Sequence, residues 1–343
     1  MDVFGAALEA RAFLSDAAVA AGHELGVFEA LARGAPAALD AVASRIGVAA
    51  GHRLRALLDV LAALGAIRCE RGGRERRFAA PDAAPAHPVV ARDGWGRLAE
   101  VIRRDRALPV EPDGDALRRL HHHLASAGAA AAGELVAGLG AASLLDLGAG
   151  AGAYSKAFLE AHPAGGATLV DTGEVLALAI EWLGPLAARA RWIAGDAAEV
   201  ELGDGHGAAL LANLLHLHPA EKCARLVAAA ARAVVPGGSV AIKDLRVDDD
   251  RAGPIEGLLF ALNMAIYTDA GDVHSTAQLR AWLTEAGLVD IAEHRLAAAP
   301  DAIVVVGRRP SDPARSGTCG GATAGGSQED HPLRRNARRH ALL

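Results

Sequence analysis

Cysteine is scarce and scattered. Cys69, Cys223 and Cys319 lie far apart and form no Cys-x-x-Cys pair, which speaks against a disulfide framework and against a zinc site. Long apolar runs are missing too: hydrophobic residues make up 52% of the chain, yet none of its stretches approaches the roughly 20 charge-free residues of a membrane span. The opening MDVFGAALEARAF carries Asp2, Glu9 and Arg11, so it does not read as a secretory signal. Positive charge is not in excess, and a formal net charge of −6 gives no general attraction to nucleic acid. Lysine is almost absent: Lys156, Lys222 and Lys243 stand against many arginines and abundant alanine. That bias is what a GC-rich genome leaves and says nothing about mechanism. Together these absences predict a reduced, soluble, cytoplasmic protein with no metal site, no membrane partner and no nucleic-acid partner.

What is present is organised in four parts. The 343 residues suffice for two domains with proper cores. Residues 1–85 keep apolar positions at helical spacing in three segments, ending in HRLRALLDVLAALGAI, and IRCERGGRERRFAAP then reads as a hairpin around Gly72 and Gly73. Helices followed by a hairpin make a winged-helix pattern. Its third segment carries Arg53 and Arg55, as a DNA-reading helix would, but Leu54, Leu57, Leu58, Val60 and Leu61 fill the rest. Such a helix is expected to pack inside the protein or against a partner chain. Residues 86–140 read as a helical connector. Its His121, His122 and His123 point about 100° apart on a helix and cannot converge on one ion. A surface helix is the expected reading, with one histidine at most facing a pocket.

Over residues 141–310 strands are expected at 143–147, 167–171, 191–194, 207–212, 238–244 and 302–307, with helical patterns between them. That alternation predicts an α/β fold: a doubly wound, parallel, Rossmann-like sheet behind the N-terminal all-helical winged-helix part. Residues 311–343 are poor in apolar residues and read as a disordered tail.

The stretch SLLDLGAGAGAYSK places Gly148, Gly150 and Gly152 between an expected strand and an expected helix. Glycines there let a backbone approach a ligand and aim the helix N-terminus at it, but the spacing alone also fits a dinucleotide fingerprint. Three acids shift the balance. Asp146 ends the first strand, where a carboxylate repels a pyrophosphate and stabilises a cationic amino-acid group. Asp171 ends the second, where it can accept from ribose hydroxyls. Asp196, after Gly195, ends the third and can accept from an adenine amino group. Any one of them could be a helix N-cap; their conjunction lines one crevice.

The set Asp146-x-Gly148-x-Gly150-x-Gly152, Asp171, Gly195-Asp196 and Pro236-Gly237-Gly238 resembles the class I S-adenosylmethionine-dependent methyltransferases. The domain order resembles their small-molecule O-methyltransferase branch, of the plant caffeate and bacterial polyketide type, over residues 1 to about 310. The resemblance implies S-adenosylmethionine as cofactor, a homodimer through the N-terminal domain, and a small aromatic or polyketide-like hydroxyl acceptor. It places the general base on His216 in Asn213-Leu214-Leu215-His216, with Asn213 at the cofactor and Asp244 in VAIKDL behind the base. Histidine titrates near neutral pH and suits that role. Leu217 and Val273 stand where the family carries further acids. In the helix PIEGLLFALNMAIYTDAG, Phe260, Asn263, Met264 and Tyr267 share one face, which the resemblance makes an acceptor wall. Transfer to carbon or nitrogen, a non-methylating use of the same cofactor, a DNA-binding sensor and a NAD-dependent dehydrogenase are the alternatives.

Overall fold

Helix α4 (His52–Ala63) is the element that explains how the N-terminal part is built. Leu54, Leu57, Leu58, Val60 and Leu61 are each 0% exposed, so the helix is apolar on more than one side and needs cover all round. In this computed structural model, which describes residues 3–72, 75–90, 94–109 and 114–311, that cover comes from two directions. The chain's own α1 (Val3–Glu24), α2 (Val27–Ala32) and α3 (Leu39–Ile46) surround it, with the hairpin β1 (Arg68–Gly72)–β2 (Glu75–Ala79) beside them. Gly26 and Gly47, at φ 74° and 72°, make the left-handed turns at which α2 starts and α3 ends. The other cover is α10 (Ile255–Tyr267), nearly two hundred residues further along, whose Leu258, Leu262, Ala265 and Ile266 join the same buried cluster.

Of the two covers expected for the apolar helix, the inside of the protein or a partner chain, the first is found: its own chain buries it. Arg53, only 4% exposed, donates to the carbonyls of Ala265 (3.1 Å), Thr268 (3.0 Å) and Asp269 (3.1 Å). These carbonyls lie at and just beyond the C-terminus of α10, where a cation is also favoured by the helix dipole. Arg55 pairs with Asp272. Both arginines thus have partners within the chain, Arg53 buried and Arg55 partly exposed. Trp95 and α5 (Leu98–Arg104), from the connector that follows, enter the same core.

The sheet has seven strands in the order β5-β4-β3-β6-β7-β9-β8. They are β3 (Ser143–Leu147), β4 (Gly166–Asp171), β5 (Ala190–Ala194), β6 (His206–Ala212), β7 (Val234–Leu245), β8 (Val289–Leu296) and β9 (Ala299–Arg308). β3 through β7 run parallel, and the central strands are buried on both faces, which is why they appear as unbroken apolar runs. α6 (Gly114–Ala137), α7 (Ala153–Ala161) and α8 (Gly173–Leu183) cover one face; α9 (Ala220–Ala233) and α11 (Thr276–Glu285) cover the other.

The expected all-parallel sheet is corrected at one edge. β9 runs antiparallel to β7, and β8 antiparallel to β9. The unforeseen β8 is an edge strand with mostly exposed or half-buried residues. A connection of two residues between β8 and β9 leaves no room for a crossover, so the pair must be antiparallel. Pro236, Gly237 and Gly238 lie inside β7 rather than ahead of it, where the pairing with β6 is irregular. The chain leaves β3 for β4 and β5 on one side and returns to β6 on the other. That reversal opens a crevice at the strand C-termini. Among the described residues no helix is long and apolar enough to cross a membrane, and no group of three or more His, Cys, Asp or Glu is placed to hold a metal. The predicted tail lies outside the described residues apart from Ser311.

Candidate active site

The loop after β3 holds Gly148, Gly150 and Gly152 at φ 66°, 56° and 81°, all left-handed. Their spatial jobs differ. A Cβ on Gly148 would sit 2.6 Å from Leu214 Cδ1, and one on Gly152 would sit 2.6 Å from Leu183 Cδ1, so both are bare for packing. A Cβ on Gly150 would meet nothing closer than His121 Nδ1 at 3.5 Å. Gly150 is therefore the residue whose naked backbone faces the crevice. Its N–H donates to Asp171 Oδ2 (2.8 Å), and Thr172 N–H donates to Asp171 Oδ1 (2.7 Å). Two backbone donors orient this half-buried carboxylate and leave it lone pairs for two further donors, the requirement of a ribose diol.

Asp146 is deeper than expected. It is 1% exposed and accepts from Ser155 Oγ at 2.7 Å, tying the strand to the start of α7. Burial pushes its carboxyl up to about 7, with Asp171 adding to the rise and Ser155 opposing it. Asp196, after Gly195 (φ 145°), is exposed and accepts from Ala198 N–H (2.9 Å) and from Lys222 Nζ (2.6 Å). The three acids stand at the ends of β3, β4 and β5, side by side in the sheet.

The three histidines of α6 diverge as their spacing requires. His121 lies over the glycine loop, His122 packs its ring 5.4 Å from that of Trp182, and His123 faces solvent. Half-burial lowers the pKa of His121 while Asp171 opposes the shift. The helical phase showed that only one of them can face the crevice; which one follows from how α6 seats on α8, through the ion pair of Arg118 with Glu181.

His216 sits on a single 3-10 turn, Leu215–Leu217, that follows β6 and Asn213. Its ring is buried and its Nδ1–H donates to Asp244 Oδ1 at 2.6 Å. Asp244, on β7 and 2% exposed, also accepts from Leu245 N–H (2.8 Å) and, at Oδ2, from His216 N–H (3.2 Å). Burial by itself would raise the Asp244 carboxyl; the His216 ring, the Leu245 N–H and Lys243 outweigh it and hold it below the ordinary carboxylate range. With Nδ1 carrying the proton, Nε2 presents a lone pair. Among the described residues no hydrogen bond takes it. Phe260 meets the ring edge-on, centroids 4.8 Å apart. Asp272 N–H donates to His216 O (3.0 Å), and Gly271 must be bare because a Cβ would lie 2.6 Å from that carbonyl. Val273 is fully buried, so Asp244 is the carboxylate on the ring. His218 is half-buried, and Pro219 after it starts α9.

On α10, Asn263 finds a partner that sequence reasoning missed: Trp95 Nε1 donates to its Oδ1 at 3.1 Å. Trp95 lies in a short turn, Gly94–Arg97. Tyr267, on the same face and partly exposed, brings its hydroxyl to Gly94, where a Cβ would be 2.8 Å from it. Phe260 faces the histidine, whereas Met264 is 7% exposed and packs in the interior. The connector thus closes over one wall of the site. A tryptophan between glycines carried a signal, since a buried indole N–H needs an acceptor. Lys243, also missed, is 7% exposed and donates to Asn213 Oδ1 at 2.6 Å.

Two family models match the chain. Residues 9–87 match the O-methyltransferase dimerisation domain family and residues 129–289 the O-methyltransferase domain family. The chain is 32% identical over 301 residues to the 3-hydroxy-5-methyl-1-naphthoate 3-O-methyltransferase of Streptomyces sahachiroi, covering 80% of this chain and 86% of that one. Its fold is similar to an O-methyltransferase family 2 protein from Planctomyces limnophilus solved with apigenin (TM-score 0.72, 24% identity, 90% and 96% of the two chains). It is also similar to human N-acetylserotonin methyltransferase solved with S-adenosylmethionine (TM-score 0.58, 22% identity, 91% and 99%).

Proposed function

The chain belongs to the S-adenosylmethionine-dependent O-methyltransferases, and on that premise we propose that it methylates a hydroxyl of a small fused-ring aromatic or polyketide-like acceptor, with His216 as general base. Bound S-adenosylmethionine supplies a methyl group on a positive sulfur, already activated for attack. The residues present fit that cofactor: a crevice-facing Gly150 without a side chain, an Asp171 carboxylate oriented for a diol, and a buried Asp146 lacking a cationic partner. Asp146 takes the ammonium group and Asp171 the ribose hydroxyls. Asp196 takes the adenine amino group, and Asn213 faces the amino-acid end.

The observation that carries the catalytic reading is the His216–Asp244 pair. Asp244 fixes the ring by its Nδ1–H (2.6 Å) and by the backbone N–H of the same residue (3.2 Å), so Nε2 is held toward the acceptor. Nε2 would take the acceptor's hydroxyl proton as its oxygen bonds to the methyl group and the methyl–sulfur bond breaks, releasing S-adenosylhomocysteine, and the Asp244 charge would stabilise the resulting imidazolium. The remaining contribution is alignment of two bound reactants. Phe260, Asn263 and Tyr267, with Trp95, form a flat wall with a single amide, suited to an aromatic acceptor; the naphthoate specificity of the Streptomyces sahachiroi relative supports the class. The dimerisation-domain match supports a homodimer.

The test is incubation with methyl-labelled S-adenosylmethionine and a panel of hydroxynaphthoates. O-methylated product should form with one S-adenosylhomocysteine each. His216→Ala should lower the rate by about 10²- to 10⁴-fold while S-adenosylhomocysteine still binds. Turnover of His216→Ala near wild type would show that it is not the base. Transfer to single-ring phenols alone would overturn the fused-ring acceptor.

A further inference from the structure

Two buried charges of opposite sign lie on one face of the sheet without pairing. Asp146 follows Leu144 by two positions in β3, and Lys243 follows Ala241 by two in β7; both leucine and alanine belong to the cluster under α6 and α7, so the two charges share that face. Asp146 is 1% exposed and Lys243 7%. Among the described residues no ion pair joins them: Asp146 accepts from Ser155 and Lys243 donates to Asn213 Oδ1. The strand between them, β6, contributes Ala212 opposite Lys243, a side chain too small to fill the gap. Above this face stands Tyr154 of α7, 7% exposed, whose hydroxyl is buried beside the Asn213 side chain.

Isolated buried charges are costly and are normally paired or neutralised. Both groups show that cost: burial pushes the Asp146 carboxyl up to about 7 and pulls the Lys243 ammonium below its ordinary value. Asp244, which opposes the shift at Lys243, points to the other face and is committed to His216 and Leu245. The outlet is the crevice, since Asn213 is exposed there and holds Lys243 Nζ. Along the sheet the order is Asp196 just after β5, Asp171 on β4, Asp146 on β3, then Asn213 after β6 and His216. The amino-acid end of the cofactor therefore falls between Asp171 and His216, over β3 and β6. That end carries an ammonium and a carboxylate on the same carbon, so one ligand neutralises both buried charges at once.

We propose that Lys243, held by Asn213 and assisted by the Tyr154 hydroxyl, binds the carboxylate of the cofactor's amino-acid end, opposite Asp146 at its ammonium. This rests on the cofactor placement given above. Burial keeps the Tyr154 phenol protonated by raising its pKa, so it serves as a donor. A methionine at position 243 would fill the same space without the desolvation cost, so the charge answers to its partners: Asn213, the field at Asp244, and the carboxylate proposed here.

Titration calorimetry with three probes tests this: S-adenosylhomocysteine, its decarboxylated analogue, which keeps the ammonium, and 5′-methylthioadenosine, which lacks both groups. Lys243→Met should weaken S-adenosylhomocysteine about tenfold to hundredfold and leave the other two within about threefold, the scale of a lost charge-assisted hydrogen bond. Tyr154→Phe, which removes one oxygen and spares the fold, should weaken S-adenosylhomocysteine about threefold to tenfold with the same selectivity. Unchanged S-adenosylhomocysteine binding in Tyr154→Phe and in folded Lys243→Met overturns the proposal. So does equal weakening of all three probes, the mark of a structural role. If Lys243→Met does not fold, Tyr154→Phe decides. Asp171→Ala separates the two levels: unaltered 5′-methylthioadenosine binding would sink the cofactor placement itself, whereas its loss, beside unselective results at Lys243 and Tyr154, sinks this inference alone.

Discussion

Replacing Asp244 by Asn removes a charge while keeping size, and the hydrogen bonds make the outcome calculable. Both carboxylate oxygens act as acceptors: Oδ1 for His216 Nδ1 and Leu245 N–H, Oδ2 for His216 N–H. An amide has one acceptor oxygen, so it must face either the ring or the backbone with its NH₂ group. If the NH₂ faces the ring, Nδ1 becomes an acceptor, the proton moves to Nε2, and no base remains. If the oxygen faces the ring, the tautomer survives but the imidazolium loses its counter-charge. At about 4 Å and an effective dielectric of about 20, that loss is about 4 kcal/mol, or about 10³-fold in rate. A single general base contributes about 10²- to 10⁴-fold, so the two estimates agree. The assay is single-turnover methylation of a hydroxynaphthoate with labelled S-adenosylmethionine, beside S-adenosylhomocysteine titration. We expect about a thousandfold slower transfer with nearly unchanged affinity. The deficit should narrow as pH approaches the acceptor's own pKa, where the hydroxyl ionises unaided. A folded Asp244→Asn within about threefold of wild type, or a deficit that ignores pH, would refute the reasoning.

The Asp146 carboxyl, pushed up to about 7, is raised above its unfolded value, so its stabilising contribution is full below the ordinary carboxylate range. That contribution fades as pH rises toward 7, and ligand-free melts from pH 4 to 8 should show the loss in wild type and not in Asp146→Asn. Binding runs the other way, because an ammonium needs the ionised form: S-adenosylhomocysteine affinity should rise from pH 6 to 8, by about tenfold per unit below the pKa, and be flat in Asp146→Asn. Arg53→Met strands three carbonyls at the end of α10 and should cost about 3–5 kcal/mol in urea unfolding; a cost under about 1 kcal/mol would show that α10 holds its place without it. Trp95→Phe deletes the donor to Asn263 and should raise the acceptor KM by about fivefold, the weight of one neutral hydrogen bond, with cofactor affinity intact; equal losses in both would mean a folding defect instead.

Much of the site was legible because its signals are local. Gly148, Gly150, Gly152, Asp171 and Asp196 lie within a few residues of strand ends, and strand ends follow from short apolar runs. His216 and Asp244 could be matched to a known pattern, although only the coordinates show them 2.6 Å apart. β8 escaped notice because an edge strand with one wet face carries no apolar run. Lys243 gave no sign either, since a lone lysine in an apolar strand looks the same whether it is buried or solvated.

From the sequence alone come the sheet's first five strands, the glycine loop with its acids, the cofactor class they imply, and a helical segment over 52–67 that had to be buried. Each depends on periodicity or spacing within one element, which neighbouring residues impose directly. Only the tertiary structure decided what buries that helix, which of three histidines reaches the crevice, that Trp95 meets Asn263 across 168 positions, and that Asp146 and Lys243 stand on one face unpaired. Those outcomes depend on which elements pack together. A helix apolar on every side, or a buried charge, states a need for a partner without saying which partner meets it.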